Sequence, residues 1–427
     1  MLIDVSIKNY LSFKEKVTFS LLATNNKKEE INNVFRINDN IDILKTSAIY
    51  WYNASWKSNL LKAINLIKLL VTESWRLWPN ELIDPLVNFT LQPFLLNNES
   101  RVSPAEFEIN FEINWVLYRY WFSLTNTSII SEQLFCRRTQ KEKTLFTRDR
   151  QNIKIYDFDD NNSVSRVNEN NLALSKFAKE WSDEAKKIHK FFQEIYIFFW
   201  DINNLRDTET MMLNEHETFY PFLKSLIQKT DLWISDIDFS LSEILFSELP
   251  DSKNLEEDLK LNGIQIPKTV NRPIRNISHP LYDIDNKKIW EQIFWIQNES
   301  KWTNKIISLA GSIYNVIRQW KILFIDEIDS SLHPILVENL IYSFNKTNTK
   351  KPFQIIFTTQ SSHIMNIKKT LRRDQIWFVE KNDYGVSSLK RLSNEKIRKE
   401  YITEKNYLKW DFWWLENKKE RNNLLNE

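Results

Sequence analysis

Residues Ile49–Asn59, I-Y-W-Y-N-A-S-W-K-S-N, constrain this chain more than any other stretch. Lys57-Ser58 are the last two letters of a phosphate-binding loop written G-x-x-x-x-G-K-[S/T]. An apolar run, Thr46–Tyr50, precedes the loop as a strand should, and Ser58–Val71 follows it with Leu60, Leu61, Ile64, Ile67 and Leu70 at helical spacing. Both glycine positions of the loop fall on tryptophan, at Trp51 and Trp56. Glycine is needed there because the backbone must take conformations closed to other residues and wrap closely around phosphate oxygens. An indole at either place fills the space the phosphates need. Either the loop is dead, or these two letters are not what the cell makes.

Composition bears on that choice. An ordinary chain of this length carries roughly 7% glycine, or about 30 residues; this one has 3, beside 17 Trp. A reassigned codon accounts for both counts: some bacteria read UGA as glycine, and a translation that reads it as tryptophan produces this pattern. The idea predicts further tryptophans where glycine belongs. Richness in Asn, Lys, Ile and Phe points to an AT-rich genome, which keeps glycine low in any case.

The length predicts about two to three domains. A net charge of +2 with acids and bases interspersed gives no argument for nucleic acid. The single cysteine, Cys136, excludes an intrachain disulfide and a Cys-cluster zinc site, and suits a reducing cytoplasm. The five histidines show no metal-binding spacing, no apolar run reaches transmembrane length, and Met1–Tyr10 lacks signal-peptide character. The expectation is a soluble cytoplasmic protein with no membrane partner.

Along the chain, Leu2–Ile7 and Val17–Leu21 alternate with period two and read as a strand pair. Thr72–Ser100 is irregular, with Pro79, Pro85 and Pro93. Residues 105–157 alternate again (Phe107, Ile109, Phe111, then Tyr118, Tyr120, Phe122) and predict an antiparallel meander, with Trp115 and Trp121 at its turns and strand ends, where glycine is natural. Leu172–Phe199 and Phe219–Lys229 read as helical, and Leu249–Asn286 as loops or short strands. Lys321–Glu327, K-I-L-F-I-D-E, is a buried strand ending in two acids, followed by Ile328-Asp329-Ser330-Ser331-Leu332-His333-Pro334. In such a Walker B pattern Asp326 helps hold Mg²⁺ and Glu327 orients or deprotonates the attacking water. Pro352–Thr359 and Asp374–Lys381 read as further core strands.

Together these residues resemble the AAA-family ATPases of the ABC class, single-chain heads related to the SMC and OLD-type ATPases. The resemblance spans nearly the whole chain: L-I-D-V-S-I-K-N-Y-L-S-F-K at the start, A-I-Y-x-x-N-A-S-x-K-S-N-L-L-K-A, E-S-K-x-T at 299–303, L-F-I-D-E-I-D-S-S-L-H-P and D-Q-I-W-F-V-E-K. It implies an α/β P-loop NTPase, an ABC-type head with an antiparallel β subdomain and a helical insertion. The lobes fall at 1–170, 171–289 (the mainly helical insertion) and 290–427. The family pattern has glycine at Trp51, Trp56, Trp302 and Trp320, and glycine is also natural at Trp115, Trp121, Trp233, Trp410, Trp413 and Trp414. Trp377 matches a true tryptophan. Drift would not concentrate tryptophan on glycine positions, which favours recoding over decay.

The resemblance also implies the site. ATP and Mg²⁺ are the expected ligands. Trp51, Asn53, Ala54, Ser55, Trp56, Lys57, Ser58 and Asn59 line the nucleotide, Ser58 and Asp326 hold the metal, and Glu327 is catalytic. Ser300 and Trp302 belong to a signature-like segment that completes the site of a second subunit, so a homodimer through the ATP sites is expected. Asp329 and Ser330 are candidate subunit contacts. The family's switch histidine is Gln360 here, with His363 three residues on, and Gln92 is a candidate Q-loop residue on one glutamine alone. His333 reads equally as a structural loop histidine. The basic clusters Arg137-Arg138 through Lys143 and Lys368–Arg373 read as solvated surface, DNA contact being the sharper alternative. The implied role is an ATP-driven switch in bacterial defence against phage, working with a separately encoded effector. A scaffold that binds no nucleotide, with Trp51 and Trp56 real, is the first rival. A DNA-repair or chromosome-maintenance ATPase is the second, and the helical block lacks the sustained heptads its arms would need.

Overall fold

The computed structural model describes residues 1–24, 31–38, 41–51, 58–77, 91–158, 166–199, 216–229, 234–248, 252, 256, 265–294, 298–319, 321–330, 334–347, 352–361, 364 and 371–395. Asn53, Ala54, Ser55, Trp56 and Lys57, with Trp233, Trp320, His333, His363, Trp410, Trp413 and Trp414, lie outside the described residues. Two compact units emerge, Met1–Trp200 with Val316–Glu427, and Asp201–Asn315.

The first unit opens with β1 (Leu2–Lys8), β2 (Val17–Ser20), the short hairpin β3 (Val34–Asn38) and β4 (Ile41–Leu44), and β5 (Thr46–Trp51), which leads to α1 (Asn59–Glu73). After the short α2 (Asn98–Val102) comes the meander β6 (Ala105–Ile113), β7 (Val116–Leu124), β8 (Ile129–Arg137), β9 (Lys143–Asp149) and β10 (Asn152–Ile155). Helices α3 (Ala173–Glu180) and α4 (Asp183–Gln193) and strand β11 (Ile195–Phe198) follow. The second unit carries α5 (His216–Lys229), β12 (Asp236–Leu245), β13 (Thr269–Tyr282), β14 (Lys288–Phe294) and most of α6 (Lys301–Gln319). The chain then supplies β15 (Ile322–Ile325), α7 (Pro334–Lys346), β16 (Gln354–Thr359), β17 (Ile376–Lys381) and β18 (Ser387–Arg391) to the first unit.

Two large sheets form the first unit. One is antiparallel, in the order β10-β9-β8-β7-β6-β1-β2. In β6 every second residue (Ala105, Phe107, Ile109, Phe111) is buried, so its alternation turns one face to the core. The other has the order β11-β15-β16-β5-β17-β18 and is parallel except for β18. All four residues of β15 and all six of β16 are buried, the expected state of central parallel strands covered on both faces. Helix α1 contributes Leu60, Leu61, Ile64, Ile67 and Leu70 to the core that both sheets share. Gln354 joins the sheets: its side-chain oxygen accepts the Leu2 N–H at 2.8 Å and its amide donates to the Leu2 carbonyl at 2.9 Å.

Three sequence readings change. Ile195–Phe198 is a parallel strand beside β15, not the end of a helix; its four residues are β-branched or aromatic and pair with Ile322–Ile325. Trp121 stands mid-strand between Glu108 and Gln133, not at a strand end. Trp115 does sit at a turn: Ile113 pairs with Val116, which leaves Asn114-Trp115 as a two-residue hairpin loop with φ of 50° and 69°. In the second unit β12, β13 and β14 form an antiparallel sheet, and Thr269–Tyr282, inside the stretch read as loops or short strands, is a single strand of 14 residues. Phe219, Leu223, Ile227, Ile237, Phe239, Ile277 and Ile307 form this unit's own core.

Candidate functional site

In the parallel sheet, β16 lies between β15 and β5, so the C-terminal ends of all three strands share one edge. Ligands of open α/β sheets bind at such an edge. Asp326 follows β15 directly, and its backbone N–H extends the ladder to the Phe198 carbonyl at 2.9 Å. Ser58 is the residue that precedes α1, a position where serine ordinarily caps the helix. Its hydroxyl makes no cap bond. It donates instead to Asp326 Oδ2 at 2.5 Å, across 268 residues of sequence.

The turn after β15 is stapled to the end of β16. Thr358 Oγ1 donates to Asp326 Oδ1 at 2.6 Å and accepts the Glu327 N–H at 2.7 Å. The Thr358 carbonyl accepts the Ile328 N–H at 3.0 Å, and Asp329 Oδ2 accepts the Gln360 N–H at 3.0 Å. The Ser330 N–H closes the turn on the Glu327 carbonyl at 2.9 Å. Glu327 has φ of 48°, a left-handed conformation for a residue with a side chain. Asp326 is only 7% exposed.

The structure thus brings together Ser58, Asp326 and Glu327. Among the described residues no group of three His, Cys, Asp or Glu side chains could hold a metal. One carboxylate and one hydroxyl are oxygen donors of the kind that Mg²⁺ takes from a protein. The residues present fit that ion.

Asn59 is buried and its amide donates to Ser12 Oγ at 2.9 Å, so this side chain is committed to the loop after β1. In the second unit Ser300 accepts the Thr303 N–H at 3.0 Å and caps α6. Trp302 is half-buried in the first turn of α6, and its indole N–H, shut off from solvent, meets no acceptor. Gln92 is half-buried, its carbonyl bound to the Leu11 N–H at 2.8 Å. Cys136 is buried, as a small core side chain.

Three of the described residues of the basic clusters are ion-paired. Arg138 meets Glu184 at 2.9 Å, and Lys143 meets Asp157 at 3.2 Å. Arg372 holds Asp374 at 2.7 Å. Burial pushes the Asp374 carboxyl up, but hydrogen bonds from Arg372 and Thr24 outweigh it and hold the group below the usual carboxylate range. The residue that sequence reading missed is Thr358. Its signal was a hydroxyl directly after an apolar run, Ile355-Ile356-Phe357, in Ile355-Ile356-Phe357-Thr358-Thr359.

No curated protein matches the chain. Two solved structures resemble it at low identity. The SMC head domain from Thermotoga maritima is 13% identical, with a TM-score of 0.40, over 91% of this chain and 98% of that one. The Smc head domain of Pyrococcus furiosus, with an extended coiled coil and bound to the C-terminal domain of ScpA, is 14% identical, with a TM-score of 0.42, over 92% of this chain and 97% of that one. The family described as "AAA domain, putative AbiEii toxin, Type IV TA system" matches residues 52–366. The chain belongs to that AAA-domain family and has its α/β P-loop nucleoside triphosphatase fold.

Proposed function

We propose that the chain hydrolyses ATP to ADP and phosphate as a Mg²⁺-dependent dimeric switch. The observation that carries the reading is the Ser58 hydroxyl, which forgoes its helix cap and lies 2.5 Å from the Asp326 carboxylate. Lys57 contacts the β- and γ-phosphates, and Ser58 with Asp326 hold Mg²⁺. The chemistry such an ion would supply is neutralisation of the negative charge on the phosphates. Glu327 orients or deprotonates the attacking water, and positioning with charge stabilisation supplies most of the catalysis. Ser300 of a second copy completes each site. Glu327→Gln lowers turnover about 10²-fold or more while ATP binding persists. ATP-dependent dimerisation, read by sedimentation, accompanies it and is lost in Ser300→Arg. Unchanged turnover in Glu327→Gln sinks the assignment of the base.

The reading needs glycine at 51 and 56, and we infer that both are glycine in the host's protein. Independent support comes from the β6–β7 hairpin. A two-residue loop with φ positive at both positions is a type I′ turn, whose preferred sequence is Asn-Gly. Here it reads Asn114-Trp115, and the indole is 73% exposed. A left-handed tryptophan costs roughly 1–2 kcal/mol with little burial to offset it. If Trp51 and Trp56 are real, the chain is a scaffold that binds no nucleotide. We further propose that the switch serves bacterial defence against phage, coupled to a separately encoded effector.

A further inference from the structure

We propose that Thr358 is the positioning residue of this site, its single hydroxyl setting both the metal-binding carboxylate and the backbone of Glu327, the catalytic base. The proposal rests on the ATPase reading and adds to it a residue on a different strand.

Aspartate turns easily about its last side-chain torsion, which is broad and roughly two-fold. A lone carboxylate at a strand end therefore has no fixed direction. Asp326 is held from both sides: Oδ2 faces the Ser58 hydroxyl at 2.5 Å and Oδ1 accepts from Thr358 at 2.6 Å. The second bond fixes the carboxylate plane. Thr358 is fully buried on β16, and threonine's branched Cβ restricts its rotamers, so the hydroxyl points where the strand sends it.

The same oxygen accepts the Glu327 N–H at 2.7 Å. Glu327 stands at φ of 48°, a left-handed conformation that is strained for a residue with a Cβ. Strain of this kind persists only where surrounding structure holds it, and it clusters at functional sites. A hydroxyl has one donor and can accept as well; here the donor goes to the first acid and a lone pair to the second. Valine at 358 keeps the shape and removes both bonds. Serine keeps both bonds and loses one methyl.

The test uses the full chain with glycine at 51 and 56, comparing Thr358, Thr358→Val and Thr358→Ser. Three quantities are read: kcat for ATP against Mg²⁺ concentration, the calorimetric Kd for Mg²⁺ in the presence of a nonhydrolysable ATP analogue, and the melting temperature. The expected result is that valine lowers kcat and weakens Mg²⁺ binding, each by about 10–100-fold as for other groups that orient a metal ligand. Serine recovers most of both. ATP binding without Mg²⁺ stays the same in all three. If the valine chain does not fold, Thr358→Ala takes its place.

Valine with unchanged kcat and unchanged Mg²⁺ affinity overturns the proposal, as does serine that is impaired as badly as valine. A fall in melting temperature alone also overturns it, since that marks a purely structural residue. A chain with Thr358 intact that hydrolyses no ATP at any Mg²⁺ concentration refutes the ATPase reading, and this proposal with it. The two failures are thereby told apart.

Discussion

Trp377 and Trp115 stand on two different sheets and are held in opposite ways. Trp377 lies on β17, 5% exposed, with its ring 5.3 Å from that of Phe19 and the Arg391 guanidinium 5.3 Å above it. Trp75 is similarly placed: its indole N–H donates to the Thr72 carbonyl at 3.1 Å and Lys179 sits 4.4 Å over the ring. Trp115 has no such setting. It projects into solvent from a turn whose backbone suits glycine. An orphaned indole N–H does not separate the two classes, because Trp377 has one as well as Trp302. Backbone conformation and packing do separate them. The lesson is that local structure separates a tryptophan packed into a core from one whose backbone suits glycine.

The comparison can be broken most forcefully at the phosphate loop. A chain carrying glycine at 51 and 56 should bind ATP on the order of 10³-fold more tightly than one made with tryptophan there, a difference of about 4 kcal/mol. Equal affinity by calorimetry would mean that the two letters do not matter. Next in size is Trp377→Ala, expected to cost about 3–5 kcal/mol in urea unfolding, as for other large buried side chains. A loss below 1 kcal/mol would remove Trp377 from the class of true tryptophans. Smallest is Trp115→Gly, which should stabilise the first unit by about 1–2 kcal/mol, while Trp115→Ala, still left-handed, gains much less. If alanine gains as much as glycine, the hairpin argument is lost.

Where one face of an element is buried, the sequence announces it. Phe107, Ile109 and Phe111 alternate in β6 because only one side meets the core, and Leu60 through Leu70 repeat at helical spacing because α1 lies against it. The continuous run Ile322–Ile325 and the following acids were legible for the opposite reason, both faces being covered. Strand β11 was hidden because Phe191, Phe192, Ile195 and Phe198 keep a helix-like spacing across the break after Gln193. Strand β14 was hidden because all seven residues are exposed, so nothing imposes a pattern on them. Within the site, Ser58, Asp326 and Glu327 could be named from motif spacing. Thr358 could not, because its role depends on a hydrogen bond between residues 31 apart, from the Glu327 N–H to the Thr358 hydroxyl.

The most direct measurement is peptide mass spectrometry of the chain purified from its own host, over the tryptic segment Thr46–Lys57. The account predicts a peptide lighter than the written sequence by two tryptophan-to-glycine differences, at 51 and 56, as a phosphate loop that accepts ATP requires. A peptide at the full mass, with both tryptophans intact, would contradict the ATPase reading and leave the nucleotide-free scaffold in its place.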